Sequence, residues 1–259
     1  LNQEIPTSLK EVVIRGGEEI YDDAFDYCSD VKAITLPNTL TQIDSYIFQE
    51  CDNLEKITVP FIGLNLDESR TLQYLFGSGS YYIPSTLADV VVTNATSIAK
   101  EAFYNLINVK SVDLSACTNL TSILDKTFYN CSSLTSVLLP TGLESIGSSA
   151  FEKCTSLKEI TIPETVTSVG DYAFNGCTLL ETVKLPEDVT TLSNAMFYNC
   201  TSLKEITILE GVETIGGSAF KNCTSLTSIT LPKSLKTIES SAFEGCSALV
   251  NVYYNGTLL

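Results

Sequence analysis

Nine cysteines and no histidine set the side-chain chemistry open to this 259-residue chain. Without imidazole there is no Ser-His-Asp or Cys-His catalysis and no histidine metal site. Thiols remain: as thiolate nucleophiles, as zinc ligands, or as disulfide halves. No C-x-x-C occurs, which removes the usual zinc spacing. Six cysteines fall at 131, 154, 177, 200, 223 and 246, each 23 residues after the last, and Cys28 and Cys51 repeat that step. If 23 residues make one turn of a stacked structure, neighbouring thiols lie about 5 Å apart with parallel side chains. A disulfide needs Cβ atoms about 3.8 Å apart and a dihedral near ~90°, which stacked parallel side chains meet poorly. The expectation is a ladder of buried thiols acting as small hydrophobes. Cys117 alone falls off the step and is the candidate for an exposed, reactive thiol.

Carboxylates are the other possible chemistry. Glu18, Glu19, Asp22, Asp23, Asp26 and Asp30 cluster near the N-terminus, but without the D-x-[DN]-x-[DN]-G pattern of a calcium loop. They read as a solvated edge. A glycosidase needs two carboxyl groups facing across a pocket; every Glu and Asp here sits in a repeat, with nothing to shape one. Asn94, Asn119, Asn130, Asn199, Asn222 and Asn255 open formal glycosylation sequons, three of them simply the N-C-[ST] of the repeat. Leu36-Pro37-Asn38-Thr39 imitates a wall-sorting signal, but Leu40 follows, and the proline is the repeat proline. No catalytic residue, metal or cofactor is expected.

The unit that positions these residues is clearest at 154–176, CTSLKEITIPETVTSVGDYAFNG. Phe128, Phe151, Phe174, Phe197, Phe220 and Phe243 keep the same step, as do Pro140, Pro163 and Pro186; Pro232 rejoins them after Leu209 takes the slot. A fixed period of this length is the mark of a solenoid. Ile160 and Ile162, two apart, have strand spacing with Glu159 and Thr161 on the other face, and Pro163 ends the strand. A second extended piece runs from Val166 to Val169. Gly170 turns the chain, and Asp171 is placed to cap a single helical turn through Phe174. One unit cannot bury its own apolar edge, but stacked copies can, as parallel strands about 4.8 Å apart.

Read in this register, strands start at Leu9, Val31, Leu54, Leu87, Val109, Leu134, Leu157, Leu180, Leu203, Leu226 and Leu249. An ungapped match of residues 5–25 to 83–103 shows a larger duplication over the small one. Residues 61–82 loosen the pattern into an enlarged repeat, with a short helix expected around 69–75 and a flexible loop at 77–80. Between Leu106 and Cys131 the step is 25: Leu106 takes the cysteine slot, and two extra residues lie in 115–119, the bulge holding Cys117. The chain reads as one domain over 1–259: regular repeats at 1–60, the irregular repeat at 61–82, regular repeats at 83–259. It opens with Leu, carries no leader-like stretch in LNQEIPTSLK and shows no polar cap after the last strand. The expectation is a trimmed piece of a longer protein, or end-to-end association.

The pattern resembles a leucine-rich repeat of the BspA-like (Treponema pallidum-type) class. The resemblance rests on the L-x-x-I-x-[IL]-P strand (Leu157, Ile160, Ile162, Pro163), V-x-x-[IV]-G (Val166, Val169, Gly170) and A-F-x-x-C (Ala173, Phe174, Cys177). It implies a curved, right-handed solenoid of about eleven repeats, with a parallel β-sheet on the concave face and short strands and single helical turns elsewhere. It also implies a bacterial cell-surface or secreted protein, attachment to extracellular matrix proteins, and co-aggregation with neighbouring cells.

Net charge is −16, which opposes nucleic acid and anionic membranes, and no apolar run approaches the ~18 residues of a membrane span. The outward strand positions offer a small, polar, mixed-charge face without Trp, better suited to a protein than to a sugar. The candidate contacts on that face are Glu159, Thr161, Thr182, Lys184, Glu205 and Thr207. Those on the irregular excursion are Tyr74, Tyr81 and Tyr82. The leading reading is a non-enzymatic protein-binding scaffold. The alternative is a structural spacer or stalk that holds another domain away from the cell.

Overall fold

The computed structural model describes residues 9–22, 24–25, 28–77, 83–254 and 257–258. The chain winds as a solenoid in which each turn contributes a main strand, and most turns a shorter second one. The main strands are Glu11–Val13, Ala33–Thr35, Lys56–Val59, Asp89–Val92, Ser111–Asp113, Ser136–Leu138, Glu159–Thr161, Thr182–Lys184, Glu205–Thr207, Ser228–Leu231 and Asn251–Tyr254. These are the eleven predicted strands, each beginning two residues after the predicted leucine or, at Val31 and Val109, valine. Those leucines end the preceding turn: Leu157 N–H donates to the Cys154 carbonyl at 3.1 Å and Leu180 N–H to Cys177 at 3.0 Å. The leucine is buried, and ladder pairing starts only beyond it.

Pairing along this file is parallel and in register, Glu159 opposite Thr182 and Thr161 opposite Lys184. It runs in three hydrogen-bonded stretches rather than one sheet: six strands from Glu11–Val13 to Ser136–Leu138, then two, then a last group from Glu205–Thr207 onward. That last group ends with Thr257–Leu258 turning back antiparallel on Tyr253 and Tyr254. The second file holds pairs such as Ser145–Ile146, in register with Ser122–Ile123 on one side and Ser168–Val169 on the other.

The expected helical turn after Gly170 is not there. Instead each turn places two residues four apart in the left-handed region: Tyr172 (φ 59°) and Gly176 (71°), Ser149 (55°) and Lys153 (62°), Ala195 (51°) and Asn199 (58°). Asp171 does not cap its own turn; its Oδ1 accepts the Asn194 N–H of the next one at 2.9 Å. A helix closes its N–H groups within the segment. Here alternate N–H groups point along the solenoid axis: Tyr172 donates to Asn194 O (2.9 Å), Phe174 to Met196 O (2.9 Å) and Gly176 to Tyr198 O (2.8 Å). The same triplet recurs at 126, 128 and 130, at 149, 151 and 153, at 195, 197 and 199, and at 218, 220 and 222. This third file satisfies the backbone of the side opposite the main strands, where a helix would leave its ends open.

Between the files lies one continuous apolar core. Leu157, Ile160, Ile162, Val166, Val169, Ala173, Phe174 and Cys177 of the defining repeat are all buried. The phenylalanines from Phe103 to Phe243 stack in one column, centroids 5.0 to 5.6 Å apart and planes within 14° of parallel. Each buried ring contributes about 2–3 kcal/mol from area alone, and each ring pair about 0.5–1.5 kcal/mol more. At the enlarged repeat Phe76 occupies the phenylalanine slot, and the column there tilts: Phe25–Phe48 at 38° and Phe48–Phe76 at 51°. The expected short helix is a 3-10 turn, Leu72–Leu75, with Leu72 and Leu75 buried.

The left-handed turns give a direct test. A methyl at Gly176 would meet nothing closer than 3.6 Å, so only its φ opposes substitution. Gly176→Asn is expected to be close to neutral. Gly176→Val is expected to lose about 1–2 kcal/mol in urea unfolding, whereas a helical turn would gain from either replacement.

Candidate protein-binding surface

The main strands bury alternate side chains and present the rest. From Ser136 to Thr207 every outward residue is exposed, whereas Ala33, Thr35, Thr58, Asp89, Val91, Ser111 and Asp113 are half-buried. Glu159, Thr161, Thr182, Lys184, Glu205 and Thr207 all lie on this exposed stretch, and register sets Glu159 beside Thr182 and Thr161 beside Lys184. Lys184 is tied by an ion pair to Glu164 at the end of its neighbour's strand, a hydrogen bond that raises the lysine pKa and lowers that of the glutamate. Glu205 faces Ser228 and Thr207 faces Thr230. Leu138, 51% exposed, is the large apolar side chain of this stretch; its alternation with Val137 marks it in the sequence, but the polar residues beside it draw attention away.

Throughout the described registers, no two like charges stand opposite one another on this face. Glu11 faces Ala33, Lys56 faces Asp89, and Asp89 faces Ser111, whose hydroxyl bonds the carboxylate. Like charges directly opposite destabilise a sheet, so the face is a mixture by necessity. It holds no converging carboxylate set, and among the described residues no group of His, Cys, Asp and Glu is arranged to hold a metal ion.

Of the excursion residues, Tyr81 and Tyr82 lie outside the described residues. Tyr74 sits in the 3-10 turn, half-buried against the core, its hydroxyl donating to the Ile43 carbonyl at 3.2 Å. Burial, then the nearby Asp44 carboxylate, raises its pKa.

The cysteine column is as spaced. Cys154 and Cys177 donate from Sγ to the carbonyls of Phe128 and Phe151 at 3.1 Å, and Cys131, Cys200, Cys223 and Cys246 repeat this 26 to 28 residues back. Each thiol therefore fills an apolar slot and satisfies a turn carbonyl of the preceding repeat. Burial pushes the Cys131 and Cys177 thiols up to about 12, so neither is a nucleophile near neutral pH.

Cys117 departs from expectation. It is buried rather than exposed: its Sγ donates to the Val92 carbonyl at 3.1 Å, and burial raises its pKa to about 11. The two extra residues make a wider turn, in which Cys117 N–H bonds the Leu114 carbonyl and Leu120 N–H bonds that of Cys117. The side chain is thereby directed inward with Leu114 and Leu120. Position relative to the period was the only available signal, and it does not encode the direction of a bulge.

The N-C-[ST] sequons also have a structural reason. Asn222 Nδ2 donates to Asn199 Oδ1 at 3.0 Å, and Asn130 to Asn105 in the same way. Thr155, Thr178, Thr201 and Thr224 each donate a hydroxyl to the carbonyl one repeat earlier.

Comparison with known proteins agrees with this geometry. The family model described as BspA type leucine rich repeat region (6 copies) matches residues 6–119, 75–200 and 121–250. Similar solved structures include the pneumococcal vaccine antigen PcpA, with 20% identity, 86% of this chain and 69% of that one covered, and a TM-score of 0.50. A leucine-rich repeat protein from Eubacterium ventriosum shares 19% identity over 91% of this chain and 82% of that one, with a TM-score of 0.49. A leucine rich cell surface protein from Faecalibacterium prausnitzii shares 21% identity over 96% and 88%, with a TM-score of 0.39. No curated protein is matched.

The buried thiols predict an alkaline limit to stability. Their folded pKa lies above the unfolded value, so the folded state holds more protons at high pH. Stability is full below the ordinary thiol pKa of 9.0 and is lost as pH rises towards about 12. Urea unfolding is expected to weaken over that window, with a slope shallower by up to about 1.4 kcal/mol per pH unit in Cys177→Ala. Equal slopes in the two proteins would mean that this thiol ionises freely in the fold.

Proposed function

We propose, on the premise that this chain belongs to the BspA-type leucine-rich repeat family, that it is a non-enzymatic protein-binding scaffold of a bacterial cell surface. In that role it attaches to extracellular matrix proteins or to proteins of neighbouring cells. The observation that carries this reading is the uninterrupted exposed stretch from Ser136 to Thr207. It presents two outward side chains per turn, in strand register from Glu159 to Lys184, and where main-strand pairing breaks on either side the other two hydrogen-bonded files continue.

Such a surface has little to offer chemistry and much to offer recognition. It is rigid, so partners lose little of their binding energy to ordering it. It is also broad, with an apolar residue, Leu138, among threonines and charges, as contact patches require. Glu159, Thr161, Thr182, Lys184, Glu205 and Thr207 are the residues assigned to contact, with Tyr74, Tyr81 and Tyr82 as a second group on the excursion. No helix among the described residues is long and apolar enough to cross a membrane.

A second reading, a stalk that presents another domain, has one observation in its favour. Much of the basic charge is spent between turns: Lys204 on Glu181 at 2.6 Å, Lys221 on Glu244 at 3.0 Å and Lys236 on Glu213 at 2.7 Å. Charges engaged with their own solenoid are less available to a partner.

The two readings separate on a panel of immobilised matrix proteins, mucins and glycans, probed with the whole chain at two salt concentrations. The scaffold predicts saturable binding to a protein, weakened about tenfold by Lys184→Glu. Absence of binding across the panel is the result expected of the stalk.

A further inference from the structure

The column that follows the second strand of each turn changes character along the molecule. In most of the middle and later turns it is small, with Gly147, Gly170, Ser193 and Gly216 between Leu124 and Glu239, and Gly147, Gly170 and Ser193 line a shallow groove with Ser145, Ser168 and Asp125. There glycine is required by packing: a Cβ at Gly170 would stand 2.6 Å from the Ser148 nitrogen. In the first two turns the same column holds Tyr21 and Asp44. Ile20 pairs in register with Ile43, and Asp44 N–H donates to the Ile20 carbonyl at 2.9 Å, so these two residues are immediate neighbours. Two further tyrosines close the patch. Tyr46 N–H donates to the Tyr74 carbonyl at 2.8 Å, and the Tyr74 hydroxyl returns to Ile43 at 3.2 Å.

From these positions we infer that Tyr21, Asp44, Tyr46 and Tyr74 form a docking surface for a lysine- or arginine-bearing segment of a protein partner. Charge complementarity selects the occupant. The carboxylates of Glu19, Asp44 and Glu68 all act on these rings; the Tyr21 hydroxyl is bonded to Glu19, and both Tyr21 and Tyr74 feel Asp44. The Arg70 cation, which also acts on Tyr74, is engaged with Glu68 at 3.0 Å. The Asp44 carboxylate is oriented by the Gln42 amide at 2.9 Å. Tyr21 is 59% and Tyr46 37% exposed, and the face of an exposed tyrosine attracts a cation. An anionic ligand would meet an excess of like charge here, from Glu19, Asp44 and Glu68 against Arg70. A bare divalent cation lacks a converging ligand set among the described residues.

The inference rests on the reading of the chain as a protein-binding scaffold, but it uses a different face from the Ser136–Thr207 stretch. The test can therefore separate the two. The probe is a fluorescein-labelled peptide of alternating lysine and arginine, with a glutamate-rich peptide of equal length as control, followed by anisotropy against the whole chain.

Saturable binding of the basic peptide alone is expected. Asp44→Asn should weaken it about tenfold and Tyr21→Ala several-fold, while Glu144→Gln, the same charge change at an exposed position of a middle turn outside both proposed surfaces, should leave it within about twofold. Tyr21 and Asp44 are not core residues, and circular dichroism of each variant confirms that the fold is kept. Equal losses in Asp44→Asn and Glu144→Gln would mean diffuse attraction to an acidic protein and would overturn the inference, as would no binding. A chain that binds the basic peptide at this patch but nothing through Lys184 would retain this surface and lose the sheet-face reading.

Discussion

Every residue in this solenoid has to tolerate its own counterpart about 5 Å away. The apolar positions satisfy that rule by identity: phenylalanine on phenylalanine at 5.0 to 5.6 Å, and cysteine after cysteine down a second column. Polar positions satisfy it when the side chain both donates and accepts, as the Asn199–Asn222 pair and the threonines after each cysteine do. Charged positions gain nothing from identity, since like charges at this spacing repel. On the main sheet they alternate with the opposite sign or with a neutral residue, as Lys204 does over Glu181 and Glu159 over Thr182; in the more open turn that follows, Glu164, Glu187 and Glu210 succeed one another at the 23-residue step. One spacing thus dictates which slots keep a single residue type and which vary. The sheet-face slots vary where uniform charge would be costly, and variation is what lets a repetitive molecule be specific.

The backbone obeys the same rule. Each turn sends its amide groups along the axis in three places: the main strands, the short second strands, and the left-handed turns behind the phenylalanine column. The third file has a conformational cost, since left-handed residues other than glycine are strained by about 1 kcal/mol. Lys153, Ser149, Tyr172 and Ala195 accept that conformation because the alternative is a buried amide with no acceptor. This is also why the side opposite the main strands contains no regular helix. A helical turn would direct its hydrogen bonds into itself and break the axial ladder between repeats.

Much of this was legible in the sequence, for a physical reason. Periodicity reports on stacking directly, so the eleven strands, their parallel order, the buried face and the cysteine column all follow from counting to 23. What counting does not report is the sign of φ. The A-F-x-x-C segment has helix-like apolar spacing, and Asp171 looks like a cap; only the recurrent Asn or Gly four residues before the repeat leucine, as at Asn130, Gly176, Asn199 and Asn222, hinted at left-handed backbone. The inward direction of Cys117 was hidden for a related reason: two inserted residues can bulge either way, and the apolar partners that decide it, Leu114 and Leu120, belong to the regular pattern. Phe76 was legible in principle, since it restores the phenylalanine slot after the excursion, but the altered spacing of 61–82 masked its register.

The functional part was less legible because repetition and function pull in opposite directions. A slot that repeats is explained by stacking, whatever else it does. A binding residue is informative only where the repeat is broken without a packing reason. By that criterion Glu159 and Thr207 are ordinary occupants of a variable slot, and their claim rests on their shared exposure. Tyr21 and Asp44 are different. Their column is small in four later turns, where Gly170 leaves no room for a side chain, and holds Leu124 and Glu239 on either side of those. What sets the first turns apart is the company these residues keep: the Leu64 carbonyl accepts the Ile43 N–H, and Tyr74 reaches back over the strand. By changing the path of one turn the enlarged repeat brings Tyr74 to Tyr46 and the Asp44 strand, and a group assembled across turns in that way is not explained by stacking.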